Sequence, residues 1–130
     1  NSLYLNIKIN ILTEENYLWS YLNCALMHET LNRGVWRILE DYERTLNEDS
    51  LFNVNVEIVI NFSNTSNKVD GGATIPSSFT KIITYSDSGL IRYPKKHTTE
   101  AYTFPNNSSV KGKKKEDYFN ENLSGQFLHH

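Results

Sequence analysis

The chain has 130 residues, 38% of them apolar and 22% charged, with a formal net charge of −2 and a pI near 6.1. That length suits one domain with a real core, and the charge supplies no global field for nucleic acid or anionic lipid. A single cysteine, Cys24, excludes an internal disulfide and slightly favours an intracellular setting, and no apolar run approaches the ~18 residues of a membrane span.

Residues 3–12 alternate. Leu3, Leu5, Ile7, Ile9 and Ile11 share one face, and Tyr4, Asn6, Lys8 and Asn10 the other, which predicts a strand buried on one side. Thr13 is a good helix N-cap, and Glu14 and Glu15 suit a first helical turn. Residues 14–47 hold no proline and one glycine, Gly34, so they read as one long helix or two helices joined near Asn32-Arg33-Gly34. Residues 51–62 repeat the strand pattern, with Phe52, Val54, Val56, Ile58, Ile60 and Phe62 on one face. A long polar loop follows over 63–78. Phe79–Tyr85 and Leu90–Tyr93 read as a hairpin around Ser86-Asp87-Ser88-Gly89, and Thr98–Phe104 as a further strand closed by Pro105.

The expected fold is therefore α+β in the order β-α-β-β-β-β. One long or broken helix packs on one face of a mostly antiparallel sheet of roughly four to five strands. Residues 1–105 form the single domain, and 106–130 a polar, mobile C-terminal segment. The terminal His129 and His130 carry no functional expectation.

Placed on a 3.6-residue period, Tyr17, Tyr21, Cys24, His28, Leu31, Val35, Leu39, Tyr42 and Leu46 form a stripe that would face the sheet. A second apolar stripe comprises Leu18, Leu22, Leu26 and Trp36, with Trp19 further round. Large aromatics beside aliphatics have the composition of an interface core, so Leu18, Trp19, Leu22, Leu26 and Trp36 are the expected partner-binding residues. The same surface would be ordinary core if the chain's own loop covered it.

Catalytic and metal motifs are weak. His28-Glu29-Thr30-Leu31-Asn32 resembles a zinc-protease helix only in part, because Asn32 replaces the second histidine. Cys24 and His28 would meet one helical turn apart, yet Cys24 falls on the buried stripe. Asp70-Gly71-Gly72 lacks the rest of a phosphate loop, and the polar sheet face lacks the stacking aromatics of an RNA-binding sheet. Five Asn-x-Ser/Thr sequons occur, at Asn61, Asn64, Asn106, Asn107 and Asn122, relevant only in a secreted chain.

The sequence assigns no catalytic residue, cofactor or metal. The leading expectation is a non-enzymatic protein-interaction domain, a small subunit or assembly factor docking a protein partner in a hetero-complex or homodimer, with nucleic acid disfavoured. Two alternatives stand beside it. One is a ligand-binding or enzymatic domain with a helix–sheet pocket near Tyr21 and His28. The other is a nucleic-acid contact through Lys95, Lys96 and the run Lys111-Gly112-Lys113-Lys114-Lys115.

Overall fold

A computed structural model describes residues 4–12, 19–48, 52–63, 74–87 and 95–129. The elements run β1 (Tyr4–Leu12), β2 (Trp19–His28), α1 (Glu29–Arg33), α2 (Val35–Glu48), β3 (Phe52–Asn61), β4 (Ser78–Asp87), β5 (Lys95–Pro105), two 3₁₀ turns (Ser108–Val110 and Lys115–Tyr118) and β6 (Gly125–His129). β3, β4, β5 and β6 form an antiparallel sheet in chain order, and β1 and β2 a separate antiparallel pair. The fold is α+β, with a broken helix on an antiparallel sheet, as the sequence predicts. Among the described residues no helix is long and apolar enough to cross a membrane.

The helix starts later than its pattern suggests. Trp19–His28 is a strand, paired along its length with β1 so that Leu5 faces Met27 and Ile7 faces Ala25. The run is apolar enough to satisfy either period, and Trp19, Tyr21 and Leu22 tolerate a strand well. The backbone donors and acceptors of β1 need partners, and β2 supplies them. That pairing outweighs a helix propensity worth only tenths of a kcal/mol per residue.

From Leu31 onward the expected stripe holds. Leu31, Val35 and Leu39 are fully buried, with Tyr42 and Leu46 packed beside them. They meet Phe79, Ile83, Tyr102 and Phe104 of β4 and β5, with Met27 and Val110 closing the ends of the core. Trp36 sits over Phe79 and Phe104, at ring-centroid distances of 5.7 and 6.0 Å. Each fully buried large side chain contributes about 1.5–3 kcal/mol. Of the β3 stripe, Val54, Ile58 and Ile60 pack on this core, whereas Val56 and Phe62 are exposed.

Gly34 divides the helix. Its backbone N–H still reaches the Leu31 carbonyl, but a Cβ at this position would lie 2.7 Å from the Thr30 carbonyl oxygen. That contact is with the backbone of the last turn of α1, so glycine lets the chain close α1 this tightly before α2 begins.

The expected strand Leu90–Tyr93 lies outside the described residues, as does most of the 63–78 loop. Segment 106–129 contributes to the body of the fold. Asn106 and Val110 are buried, Tyr118 packs on Phe104 at 5.4 Å, and β6 pairs with β5.

Candidate functional site

At the junction of β2 and α1, His28 is buried and serves as the N-cap of α1, its Nδ1 accepting from the Thr30 N–H at 3.1 Å. The bond satisfies one of the N–H groups that the first turn of α1 leaves open. The Tyr4 ring meets His28 edge-on at 5.1 Å. Behind it, the buried Asn106 side chain accepts from the His28 backbone N–H at 2.7 Å and donates to the Leu26 and Pro76 carbonyls, both at 2.9 Å. One neutral side chain thus joins β2, the segment before β4 and the end of β5.

In front of this junction lies an open cleft of about 270 Å³, lined by Glu29, Thr30, Arg33, Gly34, Lys111 and Gly112. Helix periodicity puts Glu29 and Arg33 on one face, where their side chains pair at 3.5 Å. Arg33 is mostly exposed, so this pair restrains the guanidinium only weakly and leaves its fork available to an incoming anion. Lys111 comes from the other side. Gly112, at φ +73°, makes the backbone turn that presents it, a conformation that suits glycine.

A second polar centre lies beneath α2. The Glu100 carboxylate accepts from Tyr42 at 3.0 Å, Tyr85 at 2.5 Å and Tyr102 at 2.7 Å. Burial, reinforced by this carboxylate, raises the pKa of all three phenols above the ordinary tyrosine value. Nearby, Lys81 is buried in the middle of β4. It pairs with Glu43 at 2.8 Å and lies 4.0 Å from the centre of the Trp36 ring. Glu40 beside it titrates above the usual carboxylate range, because burial outweighs the attraction of Lys81.

The residues expected to form a docking face are spread over different elements where they are described. Leu18 lies outside the described residues, and Trp19 and Leu22 are on β2. Leu26 is half-buried on the same strand, and Trp36 is buried over Phe79 and Phe104. The single helical face that would unite them is absent because 19–28 is extended. Cys24 and His28, four residues apart on a strand, are separated by about 13 Å rather than one helical turn. The cleft opens on the surface beside His28, not between helix and sheet. Lys95 and Lys96 begin β5. Among the described residues no group of three or more His, Cys, Asp and Glu is placed to hold a metal ion.

The family model for DNA/RNA non-specific endonucleases matches residues 13–125, nearly the whole chain. The chain belongs to the DNA/RNA non-specific endonuclease family. Comparison with curated proteins gives no match. Membership overturns the expectation of a non-catalytic interaction domain, subunit or assembly factor, and with it the expectations of no enzymatic activity and no nucleic-acid partner. The physical reasons are specific. A docking face needs helix where the endonuclease chain has strand β2. The overall charge of −2, which disfavours nucleic acid, conceals the local basic segment at Lys111–Lys115.

That basic run is visible in the sequence as a minor alternative. The approach of Arg33 and Lys111 across a cleft is not, because 78 positions separate them and no spacing rule connects them. Asn106 is visible only as a sequon, although its burial leaves no room for a glycan.

Proposed function

We propose that this endonuclease-family chain is a nuclease domain that hydrolyses phosphodiester bonds of DNA and RNA, holding the sugar–phosphate backbone in the cleft between Glu29–Gly34 and Lys111–Gly112. The match over residues 13–125 carries the reading of activity. The chemistry of the cleft supports its placement.

Attack of a water oxygen on phosphorus concentrates negative charge on the non-bridging oxygens as the phosphorus–oxygen bond to the leaving group breaks. Cations fixed beside those oxygens lower the barrier. Arg33 offers a planar fork that matches two phosphate oxygens, and Lys111 a compact charge from the opposite wall. Both would read the backbone, which DNA and RNA share, rather than base edges. Glu29 lies beside Arg33, paired with it at 3.5 Å, and leaves the guanidinium free to turn toward phosphate.

The test is cleavage of supercoiled plasmid and of a structured RNA by the purified chain, with divalent cations supplied. Both polymers should be degraded. Arg33→Ala with Lys111→Ala should lower kcat/KM by about 10- to 100-fold, the worth of a charged hydrogen bond or two, without moving the thermal midpoint. A chain that neither cleaves nor retains either polymer at low salt would overturn the proposal.

A further inference from the structure

Lys111-Gly112-Lys113-Lys114-Lys115-Glu116-Asp117 is mixed in charge, and its residues take different local partners. Lys115 turns inward. Its ammonium lies 4.2 Å from the Tyr42 ring centre and 5.1 Å from that of Tyr102, donates to the Tyr102 hydroxyl at 3.3 Å and pairs with Glu116 at 3.0 Å. Asp117 accepts from the Lys114 backbone N–H at 3.0 Å and closes its own 3₁₀ turn. Both acids are thereby engaged within the segment. Lys111, Lys113 and Lys114 are exposed and, among the described residues, join no ion pair.

The segment is anchored at both ends. Val110 is buried in the core, Asn107 caps the turn before it through the Ser109 N–H, and Tyr118 packs on Phe104. Three outward cations are thus displayed on a short backbone held in place before any ligand arrives, which reduces the ordering cost of binding. From residue 111 to 114 the chain spans at most ~10 Å. That is the axial length of about three phosphates along one strand of a duplex.

We infer that Lys113 and Lys114 form a basic arm that grips phosphates flanking the one held by Arg33 and Lys111, extending the nucleic-acid footprint beyond the cleft without reading sequence. This rests on the nuclease reading of the cleft. Lys115 is a positioning residue, since it holds the arm against Tyr42 and Tyr102 rather than facing the polymer.

The deciding measurement is the salt dependence of binding to a labelled DNA duplex, for the full chain and for Lys113→Gln/Lys114→Gln. Loss of two phosphate contacts should reduce the slope of log K against log salt by about 1.8, or about 1.4 on single-stranded RNA, with an unchanged thermal midpoint. Binding by the parent chain with an unchanged slope in the variant would remove the arm and leave the nuclease reading intact. Failure of the parent chain to bind any nucleic acid would remove both.

Discussion

Two buried polar centres hold this fold together by opposite means. Asn106 is itself uncharged, and its one amide satisfies three backbone groups from β2 and the segment before β4. Under α2 the centre is charged. Glu100 collects three phenols, and Lys81 answers Glu43. The neutral centre lies directly behind the cleft and fixes the start of α1, so it sets where Glu29 and Arg33 stand. The charged centre fixes α2 on the sheet and, through Tyr42 and Tyr102, seats Lys115. The amide hub carries no titratable group of its own, whereas the carboxylate and phenols under α2 titrate.

The sharpest way to break this comparison is Asn106→Ala. It leaves the His28 N–H and the Leu26 and Pro76 carbonyls without their partner, and each unsatisfied buried group costs about 1–3 kcal/mol. The expected loss is about 4 kcal/mol, read as a fall in the urea midpoint. Nuclease activity should fall with it, even well below the unfolding temperature, because α1 loses its anchor. A variant with parental stability would show that Asn106 is not a hub.

Next in size is Glu43→Ala, which leaves the Lys81 ammonium buried without its carboxylate. Removing one partner of a buried pair costs about 3–5 kcal/mol, and partial solvent access at Glu43 places the expectation near the lower end. The double variant Lys81→Met/Glu43→Leu should recover most of that loss, since apolar replacement of a buried pair is often neutral. Equal destabilisation of the single and double variants would show that packing, not charge, is what matters there.

The contrast also separates what the sequence displays from what it hides. β1 and β3 are legible because alternation over nine or ten residues, broken in β3 by Val59, fits a half-buried strand and fits no helix. The stripe Leu31, Val35, Leu39, Tyr42, Leu46 is legible for the same reason at period 3.6. Trp19–His28 is not, because a largely apolar run fits both periods and only the presence of β1 selects one. The polar centres are hidden for a different reason. Asn106 meets Leu26 across 80 positions, and Glu100 meets Tyr42 across 58. No local pattern encodes such meetings. Of the candidate site, Lys111–Lys115 is visible as a charge run, and Arg33 only as part of a helix.

The smallest expected effect is the pH response of the charged centre. In the folded chain Tyr42, Tyr85 and Tyr102 release their protons above the ordinary phenol value of about 10, first because they are buried and then because Glu100 faces them. The unfolded chain releases them near 10. Above that pH the folded state therefore holds more protons than the unfolded state, and stability must fall as pH rises. Below about pH 10 the contribution is fully present and the three tyrosines add no slope. The decline per tyrosine should be well under the ~1.4 kcal/mol per pH unit of a fully shielded phenol, because solvent reaches Tyr42 and Tyr85. Chemical denaturation between about pH 9 and pH 11 measures it, and Tyr102→Phe isolates the phenols from the lysines that titrate in the same range. The variant should show the shallower decline. Parallel profiles for parent and variant would mean that Tyr102 ionises alike in both states, and that the charged centre is no more responsive to pH than the neutral one.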